Sequence, residues 1–433
     1  MLMNGIKTVR EETMDRETLI HKLKHNRARL LSVIQWTVFS AITGAVLGVL
    51  GGLFYRAISF VTAFRLAHHY ILFLLPVGAV GIRYLYHLFH NEQDGGTNLV
   101  LSAIHANDDI PLRMAFLIFL STVFSHLVGA SVGREGAALQ FGGSIGNNIG
   151  KLFHATERDK KTMIMAGMSG VFSALFGTPI AAAIFSMEVV SVGIMHYAAL
   201  LPCVISSFVA RRVASLLGAP AASFTVIEIP ASSPAAWIKI TGLAVLCGLL
   251  AAGFCICLHH GAHLSHRLIK NRYLRALIFG TTVLILTLLV GDQTYNGAGV
   301  DYINACIRGE DRPLGFLMKI LFTVLSILAG YKGGEIVPSF FIGASLGCTY
   351  GQLVNLSPSF CATIGMGAVF CGVTNCPITS LLICLELFGF EGAPFYLLAI
   401  AFSYLLSGYY GLYTSQTIVY SKYRSNYINK ETH

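Results

Sequence analysis

A chain of 433 residues that is 55% hydrophobic, only 12% charged and of mean hydropathy +0.67 is too apolar for an ordinary soluble protein, where about a quarter of residues carry charge. The composition places it in a bilayer. The formal charge of +9 does not point to nucleic acid, because Lys and Arg sit at the chain ends and between apolar segments.

In chain order, residues 1–32 read as a cytoplasmic N-terminal amphipathic segment, with a surface helix over 14–31. No short apolar core followed by a small-residue cleavage site precedes it, so no removable signal peptide is expected. Segments 31–53, 114–130, 237–258 and 276–290 approach or exceed the roughly 20 apolar residues of a spanning helix. Segments 97–104, 137–149 and 336–346 are shorter and read as helices that stop inside the membrane, where their ends must line a cavity or be buried in protein. Residues 217–236, rich in Pro, Ala and Ser, read as a linker between membrane repeats at 33–216 and 237–421, with a cytoplasmic tail at 422–433. Basic clusters at 7–29, 266–275 and 422–430 put these stretches, and both termini, on the cytoplasmic side by the positive-inside bias.

The ten cysteines stand singly apart from Cys255 and Cys257, with no CxxC pair, and read as reduced, packed thiols. His259 and His263 share a helical face, but with no carboxylate or cysteine close by in sequence on their cytoplasmic side they read as interfacial residues at a helix end, as do His68 and His69. No metal and no cofactor is expected.

One arrangement occurs twice. Gly133-Arg134-Glu135-Gly136 runs into Gly142, Ser144, Gly146 and Gly150; Gly333-Gly334-Glu335-Ile336 runs into Gly343, Ser345, Gly347 and Gly351. Farther on, Gly167, Met168, Pro179 and Glu188 recur as Gly365, Met366, Pro377 and Glu386. Short apolar segments interrupted at matching places in two halves point to an ion site at the membrane midplane. A glycine-flanked helix start presents unpaired amides and the positive end of the helix dipole, which attract an anion. Glu135 places a carboxylate where the anion would sit, so it competes when charged and yields when protonated. Alternatively, it is a helix-capping acid paired with Arg134. The duplication and depth of the segment favour a functional role, since ionisable groups inside membranes are costly. Glu188 and Glu386, at equivalent places, read as structural acceptors for broken-helix backbone rather than proton carriers.

These residues resemble the CLC chloride channels and proton-coupled anion exchangers from about residue 33 on. Gly133-Arg134-Glu135-Gly136 is similar to the GREGP motif and Gly334-Glu335-Ile336-Val337-Pro338 to GxFxP. Residues 179–188 are similar to the helix after the first motif, and Gly411-Leu412-Tyr413 to the segment bearing the anion-contacting tyrosine. The resemblance implies an all-α polytopic membrane protein, two inverted repeats of tilted and broken helices, one anion pathway per subunit, and a homodimer. It implies that Gly133, Arg134, Gly136, Ile336 and Tyr413 contact the anion and that Glu135 gates it.

Departures narrow the likeness. Gly96-Thr97-Asn98-Leu99-Val100 replaces GSGIP, so either Thr97 or Asn98 faces the ion; Ala137 replaces the proline of the first motif. The internal proton-transferring glutamate falls on Val189, and Glu335 stands where an apolar residue is usual. This set is similar to the fluoride/proton antiporter branch. A strongly hydrated small anion needs strong donors, which an Asn amide supplies. Phe340 and Phe341 either offer ring edges to the ion or, as we favour, simply pack. Glu335 either takes over part of the proton path or pairs with Lys332. The implied function is a proton-coupled fluoride exporter, with a chloride/proton antiporter or a passive chloride channel as alternatives; fluoride or chloride, protons and lipid are its partners. An enzyme is disfavoured, since no HExxH, GxSxG or phosphate-binding loop is present.

Overall fold

The computed structural model describes residues 2–91, 95–106, 108–222, 224–424 and 426–432, with side chains from residue 21 on, except 23. Sixteen helices follow in order among them: α1 (Leu2–Ala67), α2 (Leu75–Leu88), α3 (Thr97–Ala106), α4 (Leu112–Val128), α5 (Glu135–Leu152), α6 (Glu157–Phe176), α7 (Pro179–Glu188) and α8 (Leu200–Leu216), then α9 (Pro234–Leu268), α10 (Arg272–Val290), α11 (Val300–Ile307), α12 (Gly315–Ala329), α13 (Ile336–Val354), α14 (Pro358–Thr374), α15 (Pro377–Phe388) and α16 (Ala393–Leu406). The second eight repeat the first. α1 packs on α8 and α9 on α16; α5 packs on α6 and α13 on α14. α2 against α10 and α7 against α15 join the halves.

Among the described residues, five stretches are long and apolar enough to cross a membrane: Lys24–Ala67, His69–Leu88, Tyr197–Leu216, Pro234–Leu268 and Arg272–Val290. Others are too short. The 10 residues of α3 and of α7 rise only about 15 Å at 1.5 Å each, against a hydrocarbon core of roughly 30 Å. Such helices persist only because their ends are held by protein.

The ends are held by symmetric devices. The Glu188 carboxylate, at the end of α7, accepts from the Ile378 and Thr379 amides at 3.0 and 2.8 Å and from the Thr379 hydroxyl at 2.5 Å, at the start of α15. Reciprocally, Glu386 of α15 accepts from the Ile180 and Ala181 amides of α7 at 3.0 and 2.8 Å. Each acid thus satisfies amides that a helix start leaves open, the structural job expected of the pair. Prolines at the first position of α7, α14 and α15 fit the same logic, since they remove a donor that has no intrahelical acceptor.

The shared glycines have a packing cause. A Cβ on Gly142 would lie 2.4 Å from the Gly167 carbonyl oxygen, and one on Gly343 would lie 2.2 Å from that of Gly365. Only bare backbone lets α5 meet α6, and α13 meet α14, this closely.

Three features differ from the sequence reading. The 14–31 segment is not a separate surface helix but part of the unbroken 66-residue α1. α13 does not stop near residue 346 but runs to Val354, its glycine row seated on α14. The last residues are not a free tail: β2 (Thr417–Tyr420) pairs with β3 (Tyr427–Glu431) on one edge and with β1 (Ser191–Val192) on the other. Of the linker expected at 217–236, residues 217–233 contain no helix or strand among those described, while 234–236 already belong to α9.

Candidate functional site

α4 and α12 end alike, at Gly129 with φ +91° and Gly330 with φ +101°, the left-handed geometry that glycine adopts without strain. Each turn releases the chain toward the other half. Gly133 and Gly334 then pair as an isolated antiparallel bridge, with N–H to O=C bonds of 2.6 and 2.8 Å. α5 and α13 begin immediately beyond it. The bridge puts two helix starts head to head in the protein interior. It also sets a register in which Arg134 and Glu335 are the equivalent caps, so Glu135 corresponds to Ile336 rather than to Glu335.

The side chain of Glu135 is buried and turned back on its own helix start. One carboxylate oxygen accepts from the Arg134 amide at 3.1 Å and the other from the Arg134 Nε at 3.0 Å. The Arg134 guanidinium lies 4.7 Å over the Tyr55 ring. Across the bridge a Cβ on Gly136 would be 2.8 Å from the Gly334 Cα, 3.5 Å from the Glu335 carboxylate and 3.6 Å from the Thr97 hydroxyl. Thr97 Oγ1 in fact donates to the Gly136 carbonyl at 3.0 Å.

A cavity of about 240 Å³ opens beside these groups. Thr97, Asn98, Gln140, Lys332, Glu335 and Tyr413 line it. The Asn98 side-chain oxygen accepts from the Ser415 amide at 3.0 Å, which aims its NH2 group elsewhere. The Tyr413 hydroxyl is buried, with no hydrogen-bond partner among the described residues. A buried donor without an acceptor is costly, about 1–3 kcal/mol, which makes this hydroxyl a ready ligand for an anion. Lys332 Nζ lies 4.5 Å over the Tyr86 ring.

Of the residues picked from sequence, Thr97, Asn98, Glu335 and Tyr413 meet on this cavity, whereas Gly133, Gly136 and Ile336 form the buried backbone beside it. Arg134 faces a different cavity. Val189 is buried, its carbonyl accepting from Gln416 Nε2 at 2.9 Å. Phe340 stacks with Phe176 and Phe370, and Phe341 with Tyr302, so both rings pack. Sequence reasoning missed Arg83 and Gln140, which also line the cavity. Gln140 was findable as a polar residue one turn after Gly136 on an otherwise small-residue helix. Arg83 was not, since it reaches Gly330 only through the fold.

The ten cysteines are free thiols, all buried except Cys257. His259 and His263 lie within the last three turns of α9.

Broken helices, paired head to head around a buried carboxylate and a polar cavity, define a membrane-embedded ion-transport protein. The family model described as voltage gated chloride channel matches residues 78–408. The chain is 34% identical over 398 residues to the chloride/fluoride channel protein of Pseudomonas syringae pv. tomato, covering 90% of this chain and 88% of that one. It is 27% identical over 280 residues to the H(+)/Cl(-) exchange transporter ClcA of Vibrio cholerae, covering 60% and 58%. A crystal structure of a CLC-type fluoride/proton antiporter superimposes with a TM-score of 0.86 at 30% identity, over 89% of this chain and 98% of that one. The chain belongs to the voltage gated chloride channel (CLC) family, with the predominantly helical, two-repeat fold expected of it; the three short strands are the departure from an all-α chain.

Proposed function

We propose that this protein is a proton-coupled fluoride exporter, a fluoride/proton antiporter acting as a homodimer in a bacterial cytoplasmic membrane, with both termini cytoplasmic. The observation that carries the proposal is the position of Glu135: a buried carboxylate holding the amide and guanidinium of a helix start that faces its counterpart across the Gly133–Gly334 bridge. Those donors grip a charged oxygen far more strongly than a neutral one. Protonation loosens Glu135, and an anion takes over the helix-start donors at Arg134, Gly136 and Ile336; the Gly133 amide, expected among them from the sequence, is held by the Gly334 carbonyl at 2.6 Å. Loss of the proton returns the carboxylate and displaces the anion. One side chain thereby ties the two flows in opposite directions.

In this scheme Thr97, Asn98 and Tyr413 ligate the anion from the cavity side. Glu335, on the wall of the same cavity, carries protons toward Glu135 in place of the glutamate replaced by Val189. The fluoride preference is supported by the likeness to the Pseudomonas chloride/fluoride channel protein and to the superimposed fluoride/proton antiporter, and by Asn98, whose amide offers two donors to a tightly hydrated ion.

A second reading, chloride transport by exchange or through a passive channel, is favoured by the words chloride and channel in the name of the Pseudomonas relative and by the exchanger ClcA. Purified protein in liposomes decides between them. An outward fluoride gradient is expected to drive uphill proton uptake, a chloride gradient to drive little, and Glu135→Gln to abolish coupling. Proton uptake persisting in Glu135→Gln would remove the carboxylate from its role.

A further inference from the structure

On the Arg134 side of Glu135, away from the cavity of Asn98 and Tyr413, lies a larger cavity of about 680 Å³. Its wall carries Arg65, His126, Arg134, Gln293 and Asn296. The acid among its described lining residues, Asp301, is exposed at the rim.

Two of these side chains are almost fully enclosed and incompletely bonded. Arg65 is 3% exposed; one guanidinium nitrogen donates to the Gln293 side-chain oxygen at 2.6 Å, while Nε has no partner among the described residues. His126 is 1% exposed, and its Nε2 likewise has none. The cationic Arg65, Arg134 and Lys319 act on the His126 ring, and of these Arg134 is paired with the Glu135 carboxylate. Lys319 is itself buried, its amine donating to the Tyr295 and Gly297 carbonyls that flank Asn296, at 3.1 and 2.8 Å. Arg65 sits in the last turn of α1, where the helix dipole offsets part of its charge. The dipole leaves its Nε and the His126 nitrogen unsatisfied. Burying cations without a counter-charge is expensive, and inside membranes such groups mark ion paths.

We infer that this cavity is a second anion site, holding a monovalent halide between the Arg65 guanidinium and the His126 ring, one step beyond the Glu135 gate. The halide supplies the missing counter-charge and accepts from the two open nitrogens. Arg134, which contacts Glu135 and lines this cavity, links the two positions. The role of the site, as a waiting place for the exported ion, rests on the transport reading above; its existence does not.

The test is a bromide soak of crystals of the intact protein, read by anomalous scattering. A peak is expected between Arg65 and His126 in the wild type, absent in Arg65→Gln and retained in Arg65→Lys. His126→Phe, which keeps the ring and removes the donor, is expected to raise the bromide concentration for half occupancy about tenfold. No peak in the wild type overturns the inference, whether or not the variants fold. A peak that survives Arg65→Gln marks an adventitious ion only and overturns it too. Fluoride-driven proton uptake is measured separately, so the failure of transport and the failure of this site are distinguishable.

Discussion

At the scale of single residues, what matters is which polar groups the folded protein leaves unmatched. The Tyr413 hydroxyl has no partner among the described residues, so removing it subtracts no hydrogen bond seen in the fold. Tyr413→Phe should therefore melt within about 0.5 kcal/mol of the wild type while binding the transported anion about tenfold more weakly, by one lost hydrogen bond to a charge. Equal losses of stability and affinity would recast Tyr413 as a packing residue. Asn98 differs, because its oxygen already accepts from the Ser415 amide. Asn98→Ser removes that bond as well as the NH2 donors. The expected result is a fluoride-over-chloride flux ratio lowered by about tenfold, and an unchanged ratio would take Asn98 out of the site.

At the scale of elements, the short helices depend on acceptors from the opposite half. Glu188→Ala strips two amides and a hydroxyl of their acceptor in a nearly dry environment, whereas Glu386→Ala opens two amides at a more exposed helix start. Both should destabilise, Glu188→Ala by at least about 3 kcal/mol and Glu386→Ala by less, as measured by thermal unfolding in detergent. Gly365→Ala tests the other device: its Cβ would stand 2.1 Å from the Gly343 carbonyl oxygen, and prying α13 from α14 should cost about 1–3 kcal/mol. Much of this scaffold was legible in the residue order, because glycine rows, first-turn prolines and paired acids are local marks that the duplication made visible. Element lengths were less so. The Lys- and Arg-rich stretch before residue 30 favours helix as strongly as the apolar stretch after it, so nothing local separates a surface helix from the continuation of α1. Strands of two, four and five residues, paired across the whole chain, carry no periodicity to read. The open nitrogens of the Arg134-side cavity were invisible for a related reason, since Arg65 and His126 meet only once α1 and α4 are folded together.

At the scale of the whole molecule, the Tyr413 segment belongs to neither half alone. Gln416 donates to the Val189 carbonyl of the first half and to the Thr374 carbonyl of the second, each at 2.9 Å. β2 follows at once and is held between β1 of the first half and β3 at the end of the chain. The Thr432 hydroxyl donates to the Tyr413 carbonyl at 2.5 Å, and its amide to the Gln416 carbonyl at 3.0 Å. The final strand therefore braces the backbone of a cavity residue while contributing no side chain to the cavity lining. Removing residues 427–433 should leave the helical scaffold intact, because that scaffold rests on the reciprocal glutamates and glycine rows, none of which touches β3. What should suffer is placement. A misplacement of about 1 Å at a site can cost on the order of a hundredfold in rate, so the truncated protein is expected to melt near the wild type yet exchange fluoride for protons at least tenfold more slowly. Thr432→Val, which removes only the hydroxyl, should fall between the two. If truncation lowers the melting temperature and the exchange rate in parallel, β3 is a general stabiliser; if it changes neither, the brace on Tyr413 has no part in transport.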